Sequence, residues 1–209
     1  MGALTDPVST LADLLRERLA DGGAPVFVGI DGRSGVGKST LAAAVAASLA
    51  GGEVPVGVTV IAGDDFYAGG TAARWDRRTA EEKAAQVIDW GRQRAVLEGL
   101  RDWGVATYHP FDWEADDWDQ DPPPHADPPI TVESAAVVVL EGAYSCRPEL
   151  HDLLQFRVLL DLPAEVRRAQ LLAREGEAYR ADWEGRWAEA EDHYFGTTMP
   201  AAAFDLVLP

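Results

Sequence analysis

The strongest chemical signal in the chain is the stretch Gly32-Arg33-Ser34-Gly35-Val36-Gly37-Lys38-Ser39, which satisfies G-x-x-x-x-G-K-[ST]. Glycines let a backbone curl until several N–H groups point at one anion. A helix starting immediately afterwards adds the partial positive charge of its N-terminus. Such a loop cradles the phosphates of a nucleotide. Lys38 would reach the β- and γ-phosphates, and the Ser39 hydroxyl would take a place on Mg²⁺. ATP and Mg²⁺ are therefore the expected cofactors, and Gly32 through Ser39 with Thr40 the nucleotide-binding residues. The chain has sixteen arginines and only two lysines, one of which is Lys38. An incidental lysine in a glycine-rich turn is correspondingly hard to sustain.

Three further groups could act on a phosphate held there. Asp64 and Asp65 follow the apolar run Val58–Ala62. At the carboxyl end of a parallel strand, a carboxylate can accept a proton from an attacking hydroxyl. An Asx turn closing the strand is the bland alternative. Glu141 follows Ala135–Leu140, where an acidic residue can bind Mg²⁺ directly or through water. Arg167 and Arg174 are seven apart on a predicted helix and so share a face. Two guanidiniums there could clamp a transferring phosphoryl group, or could simply form a solvated basic face.

These residues need a scaffold. Val26–Ile30 reads as a buried strand and Leu41–Ala50 as a helix stopped by Gly51-Gly52. Val8–Leu19 has helical spacing. Thr79–Leu100 reads as one helix opened by a Thr79/Glu82 capping box, with Gly91 kinking or dividing it. Val105–Trp113 is strand-like but broken by Pro110, which suits an edge strand or lid. Tyr108, Phe111 and Trp113 could stack there on a flat substrate or merely pack. Residues 114–129 hold six carboxylates, five prolines and no lysine or arginine, which reads as a solvated loop. Phe156–Leu160 and Phe204–Leu208 complete the strands. Trp183, Trp187 and Glu189–Asp192 belong to another helix. The pattern predicts a doubly wound α/β fold, a three-layer P-loop sandwich with a mainly parallel sheet of about five strands. It is read as one domain over 1–209, with a lid-like helical region at 163–195.

Composition narrows the partners. A net charge of −17 argues against general binding to nucleic acid or acidic membranes. The lone Cys146 excludes an intrachain disulfide framework. There is no signal-peptide pattern and no apolar run near ~20 residues. A cytoplasmic protein is expected, acting on a small-molecule hydroxyl acceptor, with no nucleic-acid or membrane partner; assembly into a homo-oligomer is compatible with the sequence.

In this order, GIDGRSGVGKSTLA, Asp64-Asp65-Phe66-Tyr67, VVVLEG and LDLPAEVRRAQLLARE resemble the uridine kinase family of P-loop small-molecule kinases. More loosely they resemble phosphoribulokinase and bacterial pantothenate kinase. The resemblance implies phosphoryl transfer from ATP to a hydroxyl, a nucleoside being one candidate acceptor. It places the catalytic base on Asp64, the acidic Mg²⁺ residue on Glu141 and lid arginines on Arg167 and Arg174, with Gln170 where a middle arginine is usual. It also places substrate contacts on Tyr67, on the aromatic–Asp pair Trp75-Asp76 that would hold sugar hydroxyls, and on Tyr108. Trp113 stands where the family has a base-reading histidine, so uridine and cytidine are expected to be poor acceptors. A nucleotide-hydrolysing switch or partner protein is the alternative reading; the carboxylate after the second strand and the lid arginines favour the kinase.

Overall fold

The structure, a computed structural model, describes residues 6–23, 25–176 and 185–209. Its centre is a five-stranded sheet built from β1 (Val26–Asp31), β2 (Val58–Ala62), β5 (Val137–Glu141), β6 (Phe156–Leu160) and β7 (Leu206–Leu208), in the order β2-β5-β1-β6-β7. Every pairing within it is parallel. The doubly wound expectation is met. β1 and β5 are buried along their whole length, as strands covered on both faces must be.

Alternation along β1 divides the core. Val26, Val28 and Ile30 pack with Leu11, Leu15, Val45 and Leu49, from α1 (Pro7–Ala20) and α2 (Lys38–Ala50). Phe27 faces the other layer with Ile61, Leu97, Leu100 and Leu140. β5 lies between β1 and β2, so Glu141 is in register with Ile30 on one side and Ala62 on the other. That register brings the ends of three strands together at one edge.

The region read as one helix kinked or divided at Gly91 is divided, into α4 (Ala80–Gln86) and α5 (Trp90–Trp103), following the short α3 (Ala72–Trp75). The break falls at residues 87–89, before Gly91. The backbone there is drawn into pairing with the segment after β2: Asp89 N–H donates to Phe66 O and Ala68 N–H to Val87 O. Asp89 then caps α5 by accepting from Arg92 N–H. The Thr79/Glu82 capping box is present as read.

β3 (Val105–Tyr108) ends before Pro110 and pairs antiparallel with β4 (Ile130–Glu133), a strand not foreseen in the sequence. The two form a separate ribbon rather than an edge of the main sheet. The acidic loop is less detached than its composition suggests. Gly70 N–H donates to Trp118 O, Ala126 N–H to Pro110 O, and Asp119 pairs with Arg74. α6 (Ala164–Glu175) carries the two arginines, and α7 (Gly185–His193) packs against α4. Trp183, expected on that last helix, lies outside the described residues. Among the described residues no helix is long and apolar enough to cross a membrane.

Candidate active site

β1 delivers the glycine loop and α2 receives it. Gly37, at φ 91°, is the N-cap and Lys38 the first helical residue. At Gly35 (φ +81°) an added Cβ would meet Leu171 Cγ at 2.6 Å and Arg167 O at 2.7 Å. Only glycine admits α6 this close to the loop. The Lys38 ammonium donates to Gly32 O (2.9 Å) and Arg33 O (3.2 Å) across the loop.

Above the loop lies a cavity of about 250 Å³, lined by Ser34, Gly35, the loop residues from Gly37 to Thr40, and Asp64, Glu141, Gln170 and Arg174. Burial raises the Glu141 carboxyl pKa, and Asp64 and Asp65 add to the effect; a hydrogen bond from Ser39 and the charge of Lys38 oppose it. Val36 is buried in the core, Gly32 sits against Leu160 O, and Arg33 is turned outward to Asp192 (2.6 Å) over the Phe195 ring. These three loop positions shape the loop without lining the cavity.

The two arginines of α6 part company. Arg174 lines the cavity, whereas Arg167 reaches Leu162 O and Ser34 O and lines a separate cleft with Arg33 and Arg168. Seven residues preserve a helix face but separate the two side chains by about 10 Å along the axis.

A second cavity, about 320 Å³, adjoins the first and shares Ser34, Asp64, Ala143 and Arg174 with it. Its other walls include Tyr67, Trp113, Trp118, Tyr144, Trp187 and Glu191. Tyr67 stacks on Trp113 (5.1 Å between centroids, 22°). Asp64 thus faces both cavities. Asp65 faces neither: it accepts from the Tyr108 hydroxyl (2.9 Å), and burial raises its pKa.

Of the expected substrate contacts, Tyr67 and Trp113 line the second cavity; Tyr108, Trp75 and Asp76 do not. Tyr108 is occupied by Asp65 and stacked on Phe66 (5.1 Å). Trp75 is buried, donates to Gly69 O (2.8 Å) and lies under Arg78. Asp76 is held by Arg186 through contacts of 2.6 and 3.2 Å. Its partner is a residue far along the chain, which spacing near Asp76 could not reveal.

Four other residues at the site were not singled out from the sequence. Trp118 comes from the acidic loop. Glu191, almost wholly buried, accepts from both Ser34 N–H (2.8 Å) and Ser34 Oγ (2.5 Å) through Oε1. Tyr144 lies just past Glu141. Asp31, at the end of β1, is fully buried and accepts from Gly32 N–H, Tyr144 N–H, Cys146 N–H and Tyr194 Oη, all within 2.8–2.9 Å. It ties the start of the loop to the turn after β5. Burial pushes its pKa up to about 6 against those donors. A polar residue ending an apolar strand directly before the glycine loop was the available signal.

Ser39, Glu141 and Asp64 supply hard oxygen donors beside the loop. Among the described residues no group of three or more His, Cys, Asp or Glu side chains forms a metal cage. The donor set fits Mg²⁺, which keeps several waters and takes only one or two protein ligands beside phosphate oxygens.

The fold recurs in solved structures of other proteins. The chain is similar in structure to a protein described as a "Possible Uridine Kinase" from Bacillus stearothermophilus, with TM-score 0.72, 24% identity and 99% of each chain covered. It is also similar to a candidate fructose transport system kinase from Silicibacter sp. TM1040, with TM-score 0.66, 20% identity, and 95% of this chain and 98% of that one covered. No curated protein matches the sequence. The sequence profile of the Phosphoribulokinase / Uridine kinase family matches residues 27–185. That span contains the loop, Asp64, Glu141 and both arginines, and the chain belongs to the Phosphoribulokinase / Uridine kinase family.

Proposed function

We propose that this protein transfers the γ-phosphoryl group of ATP to a hydroxyl of a small molecule, with a nucleoside among the candidate acceptors. The observation that carries this reading is the position of Asp64, which lines both the loop cavity and the aromatic cavity. A carboxylate shared by a phosphate site and an organic pocket is where an acceptor hydroxyl must be oriented and deprotonated.

In this reading the loop amides, with the N-terminus of α2, hold the β- and γ-phosphates. Lys38 leaves the loop carbonyls to pair with them, and Arg174 and Lys38 stabilise the charge spread over the transferring group. Ser39 and Glu141 would hold Mg²⁺, which when bound neutralises phosphate charge. Asp64 takes the hydroxyl proton as the acceptor oxygen bonds to the γ-phosphorus and the bond to the β,γ-bridging oxygen breaks, releasing ADP. Arg167 acts indirectly, bracing the Ser34 carbonyl. Tyr67 and Trp113 offer flat faces to the acceptor.

The test is ADP formation from Mg-ATP across a panel of nucleosides, sugars and simple alcohols. Turnover that depends on one class of acceptor supports the proposal. Hydrolysis that no acceptor accelerates refutes it and favours a nucleotide-hydrolysing module.

A further inference from the structure

The aromatic cavity beside Asp64 measures about 320 Å³, near the lower end for a site that encloses a small ligand. Beyond its aromatic wall lies another pocket of about 300 Å³, bounded by Gly70, Thr71, Trp75, Asp116, Asp117 and Arg186. Three side chains line both spaces: Tyr67, Trp118 and Trp187. They form a partition with Tyr67 at its centre. The Tyr67 ring meets Trp118 edge-on at 6.3 Å and 76°, and Trp187 at 6.2 Å and 81°.

The three rings are not equivalent. Tyr67 and Trp187 are core residues, 3% and 5% exposed, and Trp187 also packs on Trp75 at 5.0 Å. Trp118 is half-buried and comes from the acidic loop, outside any helix or strand. An acidic, proline-rich loop ordinarily stays in solvent, yet this one is anchored at its tryptophan. Gly70 N–H donates to Trp118 O at 2.6 Å. At Gly69 (φ +68°) an added Cβ would meet that same oxygen at 2.8 Å, so only glycine lets the loop approach this closely. The indole itself packs edge-to-face on Phe111 (5.6 Å, 81°) and Trp113 (5.5 Å, 88°), a geometry that attracts beyond simple burial. The nearby Arg74–Asp119 bridge is largely exposed and adds little.

We propose that Trp118 is a specificity-determining residue that limits the length of the acceptor. With the indole in place the ligand ends at the partition. Without it the outer pocket joins the site and roughly doubles the room. Selectivity then comes from a clash with the longer competitor rather than from an added contact to the shorter one. This rests on the kinase reading above and adds a size limit to the same site. The carbonyl that anchors the loop belongs to the main chain and survives any substitution of Trp118, so anchoring and partition can be separated by mutation.

The test takes the best wild-type acceptor from the panel of nucleosides, sugars and simple alcohols. It is compared with its mono-acetyl and mono-benzoyl derivatives, acylated at each amino or hydroxyl group other than the one phosphorylated. ADP formation is followed in the wild type, Trp118→Ala and Trp118→Phe, with Trp118→Leu in place of the alanine variant should that not fold. In the wild type at least one benzoyl derivative should fall ~10-fold or more below its parent in kcat/KM, the scale of an ill-fitting group in an apolar pocket. In Trp118→Ala that penalty should shrink to under about threefold, whereas Trp118→Phe, which keeps a ring in the partition, should retain most of it. A purely structural tryptophan would lower kcat/KM for parent and derivative alike and leave their ratio unchanged. If no derivative gains on its parent in Trp118→Ala, or if the wild type shows no benzoyl penalty, the assignment is overturned and the kinase reading stands. ADP formation that no acceptor raises above the acceptor-free rate overturns the kinase reading and this inference with it.

Discussion

Substituting Asp64 and Asp65 separately should give opposite phenotypes, although the two are neighbours in sequence. Asp64 lines both cavities. Asp64→Asn keeps the shape and removes the base, so kcat should fall by roughly 10²–10⁴-fold, the range for general-base catalysis. That equals about 3–5 kcal/mol of transition-state stabilisation. Its thermal stability should be unchanged. Asp65 instead accepts the Tyr108 hydroxyl at 2.9 Å, and Tyr108 is 8% exposed. Asp65→Ala leaves that phenol unpaired at a cost of about 1–3 kcal/mol. Relief of the buried Asp65 charge offsets part of this, for a net loss of about 1–2 kcal/mol. For a domain of this size, Tm should drop by roughly 2–8 °C. Its kcat should stay within a fewfold of wild type. Steady-state kinetics with coupled ADP detection, alongside differential scanning calorimetry, separates the two effects. A large kcat loss in Asp65→Ala with little in Asp64→Asn would show that the register of the motif is shifted by one residue.

Lys38→Ala should abolish measurable transfer and weaken ATP binding, read by calorimetric titration, because the loop loses its only side-chain ammonium. Gly35→Ala places a Cβ against Arg167 O at 2.7 Å and forces a residue with a side chain to φ +81°; it should cost more than about 1 kcal/mol in urea denaturation and weaken ATP binding as α6 is pushed off the loop. Asp31 is ordinarily at 3.8 and is pushed up to about 6 by burial, so the folded state holds its proton more tightly than the unfolded chain does. Stability from this group is fully present below about pH 4 and is lost as pH rises through 6, by up to about 3 kcal/mol. Urea midpoints measured between pH 4.5 and 7.5 should show that decline in wild type and a flatter profile in Asp31→Asn.

What could be read from the sequence was whatever is local. Gly32 to Ser39 lie consecutively in the chain, and their flanking apolar runs declare a strand and a helix, so the loop and the sheet around it were legible. Asp64 and Glu141 were legible for the same reason, each ending an apolar run whose strand must point its carboxyl end at the loop. The aromatic cavity was not. Its walls come from the segment after β2, the acidic loop, the turn after β5 and α7, and no periodicity links Tyr67 to Trp118 or Glu191. The pairing of Asp76 was hidden for a related reason, since its partner Arg186 is 110 residues away. The break at residues 87–89 was hidden because it is fixed by tertiary backbone pairing to Phe66 and Ala68 rather than by a glycine or proline.

The grip of Glu191 on Ser34 has a thermodynamic consequence. One carboxylate holds the nucleotide loop by its N–H and hydroxyl while forming a wall of the neighbouring organic cavity. Its partner Ser34 lines both cavities, so the contact lies between the two compartments. If binding in one cavity displaces this contact, the two equilibria are linked, and linkage is reciprocal: whatever factor a nucleotide applies to the affinity for an acceptor, the acceptor applies to the affinity for the nucleotide. Order of addition cannot change that factor. Asp192, the next residue on α7, pairs with Arg33 on the same loop at 2.6 Å, so two adjacent carboxylates of the helix hold it. The contact that would carry such a coupling joins a helix and a loop 157 residues apart in the chain.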